Sequence, residues 1–180
     1  MFQLGSYVAC IAEGAAETAI MDILLDNHLL IFERDRLIDE QVLSCRSASV
    51  FERRYLRKGF NGQVTVFRIL DSRRENFRLS KAYQHKVDVI NIITAPEIEM
   101  LIILNERKFT AFKKSGMKPS EFCKAQLGFH NVKSYEFVFN YFSNPDNLVA
   151  AIIKYAEVSR IPKGEESLRS LLRKRDGFIS

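Results

Sequence analysis

Four carboxylates stand where short apolar runs give way to turns: Glu13 after residues 7–12, Asp71 after residues 63–70, and Glu97 with Glu99 just beyond residues 87–94. If these runs are neighbouring parallel strands of an open sheet, all four acids fall beyond the carboxyl ends, which is where such sheets bind ligands. Converging carboxylates repel one another, and the arrangement is tolerated where a hard divalent cation such as Mg²⁺ takes their oxygens as ligands. A cation site is therefore the chemistry these residues point to. Other chemistries find less support. His28, His85 and His130 are scattered, with no Cys or Asp at triad or zinc spacing. Neither Gly-x-x-x-x-Gly-Lys nor Gly-x-Gly-x-x-Gly occurs, which argues against a glycine-rich phosphate loop.

The elements that must position these acids can be read from periodicity. Residues 7–12 (YVACIA) form a buried strand ending at Glu13-Gly14, and Ala16, Ala19, Ile20, Ile23 and Leu24 recur at helical spacing over 15–28. Residues 63–70 (QVTVFRIL) and 87–94 (VDVINIIT) are strongly β-branched strands. Pro96 stands where a proline opens a helix, with Ile98, Leu101, Ile102 and Phe109 as its apolar side. Residues 29–32 and 42–45 are short strand candidates around a charged segment, 33–40, that reads as a helical turn or a loop. A helix over 48–59 places Phe51 and Tyr55 on one face, Arg53, Arg54, Arg57 and Lys58 elsewhere, and stops at Gly59. Further on, Ser120 is a candidate N-cap, Phe137, Phe139 and Phe142 read as core, and Asn144-Pro145-Asp146 opens a helix through about residue 159. The tail after Pro162 reads as a short helix ending in Arg173-Lys174-Arg175.

With 180 residues, 47% of them hydrophobic, the chain can bury a core as one domain without disulfides or structural metal. Cys10, Cys45 and Cys123 are odd in number and widely spaced, which fits a reducing compartment. The first ten residues lack a signal-peptide pattern and no apolar run approaches the roughly 20 residues of a membrane span, so a cytoplasmic protein with no membrane partner is expected. A net charge of +5 suits a polyanionic partner, although solubility alone also accounts for it.

The order of the motifs resembles the Toprim-like family, the compact domain shared by topoisomerases, bacterial primases, small RNA-maturing nucleases and several phage-defence nucleases. Residues 7–17 (YVACIAEGAAE) are similar to its first element, a strand followed by a glutamate and a helix, with Glu17 a second acid one turn on. Residues 69–73 (ILDSR) are similar to its Asp-x-Asp element, except that Arg73 replaces the second acid. Residues 96–102 (PEIEMLI) resemble the acidic x-Glu-x-Glu segment of some Toprim-like nucleases. The resemblance covers roughly residues 7–104. It implies an α/β, Rossmann-like, mostly parallel sheet flanked by helices, with a core at about 5–112 and a helical C-terminal extension at about 113–180.

The same resemblance implies cleavage of phosphodiester bonds in DNA or RNA with Mg²⁺ (or Mn²⁺). Glu13, Asp71 and Glu97 would be catalytic: Glu13 as metal ligand or general base, Asp71 as metal ligand, and Glu97 or Glu99 as a further ligand, while Arg73 or Arg74 would hold phosphate. A partner ATPase of a phage-defence system is part of what the family implies. Each acid also has a plainer role. Glu17 suits a helix surface, Asp71 a turn cap, and Glu97 and Glu99 the positive end of a helix dipole, their two-residue spacing directing them to different faces. On that reading the chain is a non-catalytic α/β module that binds nucleic acid or a partner protein, an alternative favoured by Arg73.

Overall fold

The structure, a computed structural model, describes residues 2–72, 76–95, 97–159 and 161–174, the Lys58 side chain excepted. Strands β1 (Tyr7–Ala12), β2 (Val64–Leu70) and β3 (Val87–Ile93) form a parallel sheet in the order β1-β2-β3. β2 is buried along its whole length, as a central strand covered on both faces should be. The register pairs Ala12 with Ile69 and Leu70 with Ile93, so the chain leaves β1 and β2 at nearly the same level, setting Glu13 and Asp71 on one rim.

Helix α1 (Ala15–Asp26) buries Ala16, Ala19, Ile20, Ile23 and Leu24 as its periodicity requires. It stops at Asn27, whose side-chain amide donates to the Ile23 carbonyl at 2.8 Å. On the other face of the sheet, α2 (Ala48–Arg54) starts at Ser47, whose Oγ accepts from the Val50 N–H. A 3₁₀ turn, Leu56–Lys58, follows and ends at Gly59 with φ 75°. Residues 29–32 and 42–45 are not strands: Leu30 and Leu43 make only isolated bridges, to Leu172 and Ile11, and the charged segment between them forms single-turn 3₁₀ helices at Arg34–Arg36 and Ile38–Glu40.

The helix expected from Pro96 through Phe109 is two helices, α3 (Met100–Asn105) and α4 (Phe109–Ser115), broken where Arg107 takes φ 56°. Pro96 itself lies outside the described residues. Helix α5 (Pro119–Leu127) is capped by Lys118 rather than Ser120, since the fixed φ of Pro119 suits the first helical position. Helices α6 (Tyr135–Tyr141), α7 (Pro145–Val158) and α8 (Leu168–Leu171) complete the chain, and Asn144 caps α7 as expected. Phe122, Val138, Phe142, Leu148 and Ile152 belong to the same buried cluster as Ile20 and Leu24, so the helices beyond residue 113 close over α1 and α3. Phe139, expected in the core, is 38% exposed: it lies on the outer face of α6, stacked on Tyr135. Among the described residues, no helix is long and apolar enough to cross a membrane.

Candidate functional site

At the carboxyl ends of β1 and β2 lies a polar cavity of about 280 Å³, lined by Glu13, Glu17, Asp71, Glu99, Arg46 and Lys133 among others. β1 delivers Glu13, the first turn of α1 delivers Glu17, β2 delivers Asp71, and Glu99 stands at the N-cap of α3. Gly14, between strand and helix, has φ −108° and ψ 160°, which any residue can adopt. Its role is space, because a Cβ there would fall 2.2 Å from Glu17 Oε2. The Glu17 carboxylate folds back over the glycine into the cavity.

Glu13 is flanked by two guanidinium groups. Its Oε1 lies 3.5 Å from Nη2 of Arg68, and its Oε2 lies 3.7 Å from Nε of the largely exposed Arg46. Arg68, only 1% exposed within β2, also stacks over the Phe77 ring with its Cζ 4.6 Å from the centroid. Glu97 is held differently: Oε2 accepts the Ser120 N–H at 2.9 Å in the first turn of α5, and Oε1 lies 3.5 Å from Lys133 Nζ. It ties the turn before α3 to α5, while Glu99 lines the cavity. The two-residue spacing has indeed sent the pair to different surroundings.

Burial and mutual repulsion perturb this cluster. Desolvation raises the carboxyl pKa of Glu99 from 4.5 to about 7, with Glu97 and Glu17 adding repulsion and its own backbone N–H and Lys133 pulling the other way. Glu17 is raised by desolvation first, then by Asp71 and Glu97. Burial works against the charge on Lys133, but Glu99, Glu97 and Asp71 overcome it and hold that ammonium above its ordinary value.

Glu13, Asp71 and Glu99, all singled out in the sequence, thus share one cavity; Glu97 adjoins it through Lys133; Arg73 and Arg74 lie outside the described residues. Arg46, Arg68 and Lys133 are further members that the sequence reading did not select, and Glu17 was read there as a helix-surface acid. Arg68 carried a signal, since a cation inside the buried run QVTVFRIL requires an anionic partner. Lys133 carried none, being some 34 residues beyond Glu99.

The donor set suits a hard cation: every lining acid offers oxygen only. Five carboxylates (Glu13, Glu17, Asp71, Glu97, Glu99) face three cations (Arg46, Arg68, Lys133), so with all groups ionised the described cluster lacks two positive charges. Among the described residues no three carboxylates are already gathered for one ion, so ligation requires rotamer changes. Comparison with known proteins finds no matching family model, curated protein or solved structure.

Proposed function

We propose that this chain is a Toprim-like, divalent-metal-dependent nuclease acting on DNA or RNA through the Glu13–Glu17–Asp71–Glu99 cavity. The observation that carries the reading is the convergence of Glu13, Glu17, Asp71 and Glu99 on one polar cavity at the carboxyl ends of a parallel sheet, where burial raises the Glu99 carboxyl to about 7. Glu13, Asp71 and Glu99 would hold Mg²⁺ or Mn²⁺, which would polarise the phosphoryl oxygen and lower the pKa of the attacking water. Lys133 and the exposed Arg46, on the same lining, are placed to receive phosphate oxygens. Arg68 holds Glu13 from behind, and Glu97 holds the α3–α5 turn that presents Glu99. Glu17, on the same lining, would add a further oxygen ligand to that metal ion.

A non-catalytic nucleic-acid-binding module is favoured by one specific observation, the occupation of Glu13 by two arginines. Both readings are tested by incubating the protein with duplex DNA, single-stranded DNA and tRNA in Mg²⁺, Mn²⁺ or EDTA, alongside Glu13→Ala and Asp71→Ala. Cleavage that disappears in EDTA and in both variants supports the nuclease. No cleavage on any substrate, together with no metal-induced rise in melting temperature, sinks it.

A further inference from the structure

The net charge of +5 is unevenly placed. Residues 44–88 carry eleven Lys and Arg against four Asp and Glu, a net +7, and residues 105–124 carry six against two, a net +4. The remaining 115 residues hold ten against sixteen, a net −6. Both basic segments adjoin the acidic cavity. The first contains Arg46 on its lining, and the second contains the start of α5, whose Ser120 N–H binds Glu97.

The larger segment forms one structural layer. α2, its 3₁₀ extension and residues 76–86 ahead of β3 pack Phe51, Leu56 and Leu79 against Ala9, Ile11 and Val66 on one face of the sheet. Their outward side presents Arg53, Arg54, Arg57, Arg78, Lys81 and Lys86, all exposed. None of these six is ion-paired among the described residues, whereas Arg34, Lys133, Lys154 and Arg173 elsewhere are. The one acid of α2, Glu52, is engaged with the Ser80 N–H at 2.5 Å. Crowded cations without counter-charges raise the energy of the free protein and release it when a polyanion docks.

The layer lacks something as well: among the described residues, the exposed large hydrophobic side chains are Met117, Tyr135 and Phe139, none of them here. Proteins that hold single strands stack bases on exposed aromatic rings, whereas contacts to duplex backbone need cations alone. The stacked pair Tyr135–Phe139 stands instead on α6, where Tyr135 donates to Asp22, beside an acid that repels phosphate.

We propose that the layer of α2 and residues 76–86 is a docking face for the phosphate backbone of a nucleic-acid duplex, read without regard to base sequence, which leads the duplex onto the acidic cavity. This rests on the nuclease reading only for the last step; the binding itself needs no metal. The test is fluorescence anisotropy in EDTA with labelled 20-bp duplexes of two unrelated sequences and the matching single strands. It compares the wild type, the Arg53→Gln/Arg54→Gln/Arg57→Gln triple variant and the Tyr135→Ala/Phe139→Ala double variant, with far-UV circular dichroism to confirm folding.

Wild type should bind both duplexes alike and more tightly than the single strands. The triple variant should lose about 10²-fold in duplex affinity at 0.15 M salt, its log–log salt slope falling by about 3, as expected for three lost phosphate contacts. Tyr135→Ala/Phe139→Ala should leave duplex binding unchanged. Tighter binding of single strands that depends on Tyr135 and Phe139, or a folded triple variant that binds as wild type does, overturns the proposal. Neither result touches the nuclease reading, whose own failure appears as absent metal response.

Discussion

Glu99→Gln is the most direct probe of the cavity's electrostatics. Glu99 is 3% exposed and its carboxyl pKa is raised from 4.5 to about 7, chiefly by desolvation. A raised folded-state pKa means that the folded protein favours the protonated acid. The stabilisation associated with that proton is complete below about pH 4.5 and is lost as pH rises through 7. At roughly 1.4 kcal/mol per pKa unit, the ionised carboxylate costs the fold about 3 kcal/mol at pH 8. Glutamine is neutral at every pH and nearly isosteric, so the metal-free variant should match wild type near pH 4.5 and exceed it at pH 8. For a chain of this size the gap should approach 6–12 °C in melting temperature, at ~2–4 °C per kcal/mol. The neighbouring groups are Glu17 on α1, Glu97, Lys133 and the buried Cys123 of α5, and the variant leaves all of them in place. Thermal melts of both proteins in EDTA from pH 4.5 to 8 measure the gap. A gap that does not change with pH, or a variant less stable than wild type at pH 8, refutes the reasoning. Mg²⁺ at pH 8 should then raise the melting temperature of wild type and leave Glu99→Gln unmoved.

Glu17→Gln should abolish the Mg²⁺-induced stabilisation as Asp71→Ala does; a helix-surface acid would instead cost only about 0.3–1 kcal/mol through the helix dipole and leave the metal response intact. Gly14→Ala should fold, since the backbone there accepts any residue, yet weaken the metal response because the new methyl group displaces the Glu17 carboxylate; an unchanged metal titration would contradict the placement. Gly5→Ala has no such escape, its Cβ falling 2.3 Å from the backbone oxygen of Gln63, and should cost about 1–3 kcal/mol in chemical denaturation, where a neutral result would remove Gly5 from that contact. Arg68→Met should destabilise by about 3 kcal/mol or more because Glu13 loses its buried partner, and adding Glu13→Gln should recover much of the loss; additive effects in the double-mutant cycle would deny the pairing.

How much of this could be read in advance follows from how local each determinant is. The strands at 7–12, 63–70 and 87–94 were visible because their β-branched and apolar runs are continuous, and α1 because its apolar residues recur every three to four positions. The extent of the helix after Pro96 was not visible, because Arg107 enters the left-handed region without a glycine to announce it. The α5 cap was misplaced by two residues because Ser120 competed with a proline whose backbone geometry decides the matter. Phe139 was assigned to the core by type alone, but α6 is only seven residues long and its apolar face is filled from Val138 and the flanking Phe137. In the site, Glu13 and Asp71 were legible because each directly follows a strand, whereas Glu17 on α1 was not. Their cations were not, since Arg46 and Lys133 come from loops whose approach depends on the packing of α2 and α6.

That separation between legible acids and hidden cations bears on Arg73, where the Toprim-like pattern has its second aspartate. Taken alone, the difference exchanges one negative charge of the expected set for a positive one. Glu17 lines the same cavity and returns a carboxylate, from a helix rather than from the strand end, with Gly14 giving it the room. Glu17 thus offsets the missing carboxylate of that pattern, though not the positive charge that Arg73 adds. Desolvation meets part of the cavity's need for positive charge by favouring protonation, moving Glu99 to about 7 and Glu17 upward. On the nuclease reading, a small, hard dication would offset the carboxylates that line this cavity, of which only Glu99 is fully buried. Within that reading, then, Glu17 supplies the oxygen ligand that Arg73 cannot, and Glu17→Gln is the variant that would expose its loss.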